Sequence, residues 1–372
     1  MLFRSNLGNL LRNSGYHDRA LAHFRKAASA QPRIAPARQE LMYALLDVCA
    51  WDEAEAIAAQ LRSECAAQTA GWMHAIAPLT AYCLGLDAAA CKRLAVFHAM
   101  EAARNVAPVP RSRVAAGARL RIGYLSPDFR EHPVGQLMAA GLSLHDRSRF
   151  EVFAYSSGSD DHSDCRKTIA DSVEHFVDIE RMTDADAANR IAQDGVQLLI
   201  DLGGHTTGSR LGILARRPAP VQAHYLGYAG TTGAGYIDYF ITDAQATPAG
   251  HADAFSERLA YVPGCFMLSS GPSQAVAPAP TRAAQGLPED AMVYSSFTGA
   301  SRMTRNDFTR WMQILQAVPR SVLWLKPSHE SAVANLRAEA QRCGIDAARL
   351  IFAQRDRKST RLNSSHTDIS RM

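Results

Sequence analysis

The chain has 372 residues, 47% of them apolar, and a formal net charge of +4. That apolar share is ample for packed cores and excludes a disordered protein. The small charge, scattered among acidic residues, gives no electrostatic footprint for nucleic acid. The length fits two or three domains. Seven cysteines, Cys49, Cys65, Cys83, Cys91, Cys165, Cys265 and Cys343, are odd in number and contain no C-x-x-C pair. Such usage predicts free thiols in a reducing compartment. No apolar run reaches the length of a membrane span and no signal peptide opens the chain, so the expected location is cytoplasmic.

Residues 1–65 read as helix pairs. Leu7, Gly8, Leu11, Gly15, Ala20, Phe24, Ala27 and Pro32 fall at the spacing of a tetratricopeptide unit, and Leu41, Leu45, Ala54 and Leu61 repeat it more weakly one period later. Small residues let the paired helices approach, Phe24 fills the gap, and Pro32 ends the second helix. Two units cannot build a long concave groove, so they are expected to be the last repeats of an array cut off at Met1. Residues 66–118 form an Ala-rich helical linker region, with helices over 72–86 and 88–105 and a stiff Pro108-Val109-Pro110 connector. Arg111-Ser112-Arg113 and Arg119-Leu120-Arg121 make a mild basic patch, read as solvated linker.

From Leu120 the pattern changes. Strand-like runs at 120–125, 150–156, 196–202, 220–225 and 237–242 alternate with helical runs at 134–144, 162–173, 185–194 and 209–216. This alternation predicts an α/β fold with a parallel sheet wrapped by helices, over 119–268. A Ser-, Pro-, Ala- and Gln-rich linker follows at 269–285. A second α/β unit at 286–355 has strands at 292–297, 321–325 and 350–352 and helices at 307–316 and 330–343, about half of a nucleotide-binding lobe. The tail at 356–372 has no apolar period and looks like translated adapter sequence.

Several residues point to chemistry. Leu226-Gly227-Tyr228-Ala229-Gly230-Thr231-Thr232-Gly233 lies between two strand-like runs, where glycines let backbone press against a ligand. His132 falls between a strand-like and a helical run, where an imidazole suits proton transfer. Capping of the following helix is the plainer reading of it. Asp184-Ala185-Asp186 has the Asp-x-Asp form of metal-dependent sugar transferases, but it opens a helical run where acids favour the dipole, so no metal is expected. Asp160-Asp161-His162 reads as a solvated loop.

Taken together, Arg119-Leu120-Arg121-Ile122-Gly123-Tyr124-Leu125-Ser126-Pro127-Asp128-Phe129, Glu131-His132-Pro133-Val134, Phe150 to Tyr155, Asp194 to Thr206, Arg217-Pro218-Ala219-Pro220-Val221-Gln222 and the Gly-rich loop closely resemble the catalytic region of protein O-GlcNAc transferases. This is the O-linked N-acetylglucosamine transferase and SPINDLY family, glycosyltransferase family 41. The resemblance runs from about residue 119 to 354. It implies a GT-B type architecture of two Rossmann-like lobes, the second incomplete, behind the all-α tetratricopeptide-like region. It also implies an inverting transferase moving N-acetylglucosamine from UDP-GlcNAc to Ser or Thr hydroxyls of a protein or peptide acceptor, without a metal cofactor.

The resemblance places His132 in the family's D-F-x-x-H-P motif, as general base or as a positioning group. It makes His205 and Thr206 the first-lobe copy of a Gly-His-Thr-Thr run, lining the active site. Gly227, Tyr228, Gly230 and Thr231 are implied to bind substrate. Gly299 stands where the family has Gln, Arg302 where it has the Lys that neutralises the departing diphosphate, and Ala229 where it has Pro. Arg keeps the charge and can bind phosphate oxygens in a fork. The expected site is a crevice with His132 on one bank and Arg302 on the other. The second-lobe Gly-His-Thr-Thr copy is absent, so this chain by itself is expected to be inactive. Two alternatives stand beside the main reading: transfer of another sugar, such as glucose to Asn, and a non-catalytic protein-binding module in which the repeats recruit a partner.

Overall fold

The structure is a computed structural model that describes residues 2–30, 35–67, 71–110, 118–268, 281–326 and 329–353. The chain forms two compact units: Met1–Ile76 together with Ala275–Arg371, and Ala77–Gln274. Pro32, the Arg111-Ser112-Arg113 patch, most of the 269–285 linker and the 356–372 tail lie outside the described residues.

In the first unit, α1 (Leu2–Asn13) and α2 (His17–Ala30) form one helix–turn–helix pair, and α3 (Ala35–Asp47) and α4 (Trp51–Ala66) a second; a short α5 (Trp72–Ala75) follows. Gly8 is required where it stands, because a Cβ there would come 2.7 Å from Cε1 of the buried Phe24 ring. Ala20, Ala27, Leu41, Leu45, Ala54 and Leu61 are all buried between these helices.

The second unit opens with α6 (Pro78–Cys83) and α7 (Ala88–Ala102). The single helix expected over 72–86 is two short ones, because Pro78 has no N–H to continue α5 and instead starts α6 at its first position. Seven parallel strands follow: β1 (Leu120–Ser126), β2 (Phe150–Ser156), β3 (His175–Asp178), β4 (Leu198–Asp201), β5 (Val221–His224), β6 (Tyr239–Thr242) and β7 (Arg258–Tyr261). Their order is β3-β2-β1-β4-β5-β6-β7, so the winding reverses between β1 and β4.

Connecting helices α8 (Pro133–Leu142), α9 (Asp164–Asp171), α10 (Asp184–Gln193) and α11 (Leu211–Ala215) cover both faces of this sheet. The pleat sorts the side chains. Ile122, Tyr124, Val152, Ala154 and Ile200 pack on Val134, Met138 and Leu142 of α8 and Ile169 of α9. Leu125, Phe153, Tyr155 and Leu199 pack on α10, α11 and Ala99 of α7. The stretch read as a helical linker therefore contributes to the sheet's core through α7. It is tied down further by Tyr236 Oη donating to Ala99 O (3.2 Å) and by Lys92 Nζ donating to the carbonyls of Asp253 and Phe255 (2.8 Å each).

The remainder of the first unit holds β8 (Met292–Ser296), α12 (Arg305–Ala317), β9 (Ser321–Leu325), α13 (Glu330–Arg342) and β10 (Leu350–Phe352), with parallel strands in the order β10-β9-β8. Its core includes Cys49 from the turn between α3 and α4 and Trp51 at the start of α4, set among Met303, Phe308, Leu323, Leu325 and Leu336. The Trp51 indole donates to Met303 O at 3.1 Å, and Asn335 Nδ2 donates to Val48 O at 2.8 Å. The helix pairs and the small sheet thus share one hydrophobic interior.

Candidate functional site

In an open parallel sheet, ligands bind beyond the carboxyl ends of the strands, where the winding reverses. Here that place lies past β1 and β4. The chain leaving β1 turns through Pro127 to Glu131 and enters α8 with His132 as its N-cap and Pro133 at the first helical position. The turn lies tight on the helix: a Cβ on Gly135 would come 2.2 Å from Arg130 O. His132 Nδ1 has two competing partners, the Val134 amide at 3.3 Å and Asp128 Oδ2 at 3.6 Å. An amide only donates, so capping leaves Nδ1 unprotonated and puts the hydrogen on Nε2. Pairing with Asp128 puts the hydrogen on Nδ1 and makes Nε2 the acceptor. The ring can therefore offer its outer nitrogen as donor or as acceptor.

The loops after β4 and β5 are interlocked. Asp201, the last residue of β4, accepts from the amides of Gly203 (3.2 Å) and Gly204 (2.7 Å). Gly204 has φ +56°, and a Cβ on it would meet Tyr228 Cβ at 2.6 Å. A Cβ on Gly227 would come 1.7 Å from Leu202 O. Glu257, buried just before β7, accepts from Thr231 Oγ1 at 2.6 Å and from the Thr232 amide at 2.7 Å.

His205 bridges the two loops, its Nε2 lying 2.7 Å from Thr232 O. A carbonyl only accepts, so Nε2 carries the hydrogen and Nδ1 is left as the ring's acceptor. Burial lowers its pKa to about 4, so the ring is neutral at physiological pH. Thr206 Oγ1 turns back to Gly203 O at 2.7 Å.

Of the residues expected to touch substrate, Gly227, Tyr228, Gly230 and Thr231 are buried, while Ala229 beside them is exposed. The space above Gly230 is taken by Tyr82, whose hydroxyl would lie 1.7 Å from an added Cβ. Two cavities adjoin the loops. One of about 440 Å³ is lined by His98, Asp184, His205, Thr206, Ser209 and Arg210. The other, about 400 Å³, is lined by Tyr82, Cys91, Gly230, Thr231, His251 and Phe255. The expected residues thus divide between two hollows, and His132 lines neither.

Asp184 pairs with Arg210 (2.7 Å) and Asp186 accepts from Thr183 Oγ1 (2.7 Å). Among the described residues no group of three or more His, Cys, Asp or Glu is placed to hold a metal ion. None of the seven cysteines is in a disulfide.

In the other unit, Gly299 and Arg302 belong to the turn after β8. Arg302 ends a 3-10 turn at Ala300–Arg302 and is exposed, and Thr304 then caps α12 by accepting from the Asp307 amide at 3.1 Å. This is again the carboxyl end of a parallel strand leading into a helix N-terminus, where backbone amides favour anions. Asp201, His224, Glu257 and Tyr82 have no role in the sequence reading. The available signal was a polar residue closing each of two apolar strands, at Asp201 and His224.

A model of glycosyl transferase family 41 matches residues 88–274 and 271–363. The chain is 33% identical over 342 residues to the probable UDP-N-acetylglucosamine–peptide N-acetylglucosaminyltransferase SEC of Arabidopsis thaliana, covering 87% of this chain and 35% of that protein. Over 159 residues it is 46% identical to the UDP-N-acetylglucosamine–peptide N-acetylglucosaminyltransferase of Caenorhabditis elegans, covering 42% of this chain and 14% of that one. It spans about a third or less of the length of these two relatives. A solved mutant O-GlcNAc transferase of Thermobaculum terrenum superposes with TM-score 0.78 at 26% identity, covering 97% of this chain and 69% of that one. The seven-stranded parallel sheet and partial second lobe correspond to the GT-B type fold of that transferase.

Proposed function

Because the chain belongs to glycosyl transferase family 41, we propose that it is part of an enzyme that transfers N-acetylglucosamine with inversion from UDP-GlcNAc to Ser or Thr hydroxyls of proteins, and that without a second-lobe Gly-His-Thr-Thr segment it is inactive by itself. The observation that carries this reading is the carboxyl edge of the seven-stranded sheet. There His132 and the neutral His205 stand on loops whose backbone is fixed before any ligand binds. In the reaction the acceptor oxygen attacks the anomeric carbon while the bond to the diphosphate oxygen breaks. The hydroxyl proton must leave and charge builds on UDP.

His132 in its Asp128-paired form takes that proton at Nε2; in its capping form it donates to substrate and positions it. His205 Nδ1 accepts a hydrogen bond from a ligand hydroxyl. Arg302 neutralises the diphosphate, so no metal is required. The helix pairs, read as tetratricopeptide units, recruit the acceptor protein, and the free thiols suit a cytoplasmic location.

Mass spectrometry of acceptor peptides incubated with UDP-GlcNAc or UDP-glucose, with and without a chelator, tests the reading. The expected product is one N-acetylhexosamine on Ser or Thr, unaffected by chelator and reduced roughly 100-fold or more in rate by His132→Ala. Glucose on Asn would favour the other sugar transfer. Wild-type turnover in His132→Ala would remove its catalytic role, and absence of transfer to any acceptor by a protein that also carries the second-lobe Gly-His-Thr-Thr segment would favour the binding module.

A further inference from the structure

Asp201 closes β4 and His224 closes β5, and the parallel register makes them cross-strand partners. They are 2% and 0% exposed. His224 Nδ1 lies 2.9 Å from Asp201 Oδ2, and Nε2 lies 2.9 Å from Tyr228 O. Both partners accept. A neutral imidazole has one hydrogen and would leave a lone pair facing an oxygen lone pair in a site closed to water, a costly arrangement. A ring protonated at both nitrogens satisfies each contact.

We propose that His224 is held as a buried imidazolium by Asp201 and acts as the positioning residue for the two loops that carry His205 and Gly227 to Thr231. The role assigned to those loops rests on the transferase reading above; the imidazolium itself does not. Through Asp201 the ring is coupled to the amides of Gly203 and Gly204, and through Tyr228 O to the Gly-rich loop. The same carboxylate therefore gathers two backbone amides and one ring N–H, and the ring's other N–H fixes the neighbouring turn. Little slack exists for another arrangement, since a Cβ on Gly204 would stand 2.8 Å from His224 Cε1.

The groups around the ring agree with this assignment. Asp201 faces it from β4 and Glu257 acts on it from the segment before β7, while His205 on the first loop is neutral. The Phe240 ring of β6 packs at 5.5 Å between centroids. Burial on its own lowers the pKa of His224. The hydrogen bond and charge of Asp201, with Tyr228 O and Glu257, outweigh it and raise the pKa above the ordinary histidine value. A raised folded-state pKa gives stabilisation that is complete below the unfolded value and is lost as pH rises through the folded one.

Nitrogen-15 spectroscopy of ring-labelled histidines in the full chain tests the charge state without any ligand. The expected result is one histidine protonated at both nitrogens at about pH 8, well above the ordinary titration range. That resonance should be lost in His224→Met. A His224 signal with a single N–H at about pH 7 overturns the proposal.

Positioning is read by amide exchange and kinetics. In His224→Met, exchange at Gly203, Gly204 and Tyr228 should quicken roughly ten-fold or more while β1 and β2 amides keep their protection. Unchanged exchange at those three residues overturns it. With transfer measurable, the wild type should lose activity along an alkaline limb that matches the titration of His224. Normal turnover and an unchanged pH profile in His224→Met would overturn the positioning role and leave the transferase reading standing. Absence of transfer in a wild type that also carries the second-lobe Gly-His-Thr-Thr segment would sink that reading and leave the spectroscopic result untouched. If His224→Met does not fold, the titration and exchange of the wild type between about pH 6 and pH 10 decide the same question.

Discussion

The loops leaving β4 and β5 and the turn leaving β8 use similar residues, glycine and threonine with an imidazole or a guanidinium, and are built in opposite ways. After β4 and β5 the glycines are filled by protein: Leu202 O over Gly227, the Tyr228 side chain over Gly204, Tyr82 over Gly230. Two buried carboxylates, Asp201 and Glu257, take up the backbone and hydroxyl donors, and the buried His224 ring bridges Asp201 to the Tyr228 carbonyl. After β8, Phe297, Thr298 and Arg302 are exposed and the turn ends in an ordinary threonine cap. One edge is preorganised by internal hydrogen bonds; the other presents its cation to solvent. A glycine-rich string in a sequence marks close approach, but does not say whether chain or ligand makes it.

The sharpest way to break this contrast is Gly227→Ala. The added methyl meets a backbone carbonyl that cannot swing aside, so the expected loss is roughly 4 kcal/mol or more of unfolding free energy. Urea denaturation showing less than about 1 kcal/mol would mean that the interlock is loose.

A second test is acid. His205 has a folded pKa of about 4 against the ordinary 6.5. Between those values the unfolded chain binds more protons, so stability falls as pH drops, by about 3 kcal/mol in total. His205→Gln keeps a donor for Thr232 O without titrating, and should flatten that slope; an unchanged slope assigns it to another group.

Glu257→Gln comes next, with an expected cost of about 2 kcal/mol, because a charged acceptor of two hydroxyls and an amide becomes half donor. The smallest effect belongs to the other edge. Arg302→Ala should shift stability by less than about 0.5 kcal/mol while weakening UDP binding. A large stability loss there would show that the β8 turn is held by internal contacts like those after β4 and β5.

The buried strands were legible because their apolar runs are continuous: β2, β4, β5, β6, β8, β9 and β10 fall within the expected segments, and β1 runs one residue past its own, to Ser126. β3 and β7 escaped notice. Each is four residues at an edge, and of β3 only Val177 is buried, so no pattern announces them. His132 carried its signal locally, in a motif six residues long from Asp128 to Pro133. The Asp201–His224 pair did not, since 23 residues separate its members and only the register of two parallel strands brings them together. The shared interior of the helix pairs and the small sheet was equally hidden, because its partners lie 252 positions apart at Trp51 and Met303.

That last contact bears on how the molecule can be cut. Cleaving after residue 65 to isolate a minimal enzyme would pull the Trp51 indole from its socket and leave Phe308, Leu323 and Leu336 bordering an open hole. A trimmed protein of that kind should precipitate or recruit detergent, so recombinant versions need to keep the α3–α4 hairpin attached to the sheet it plugs.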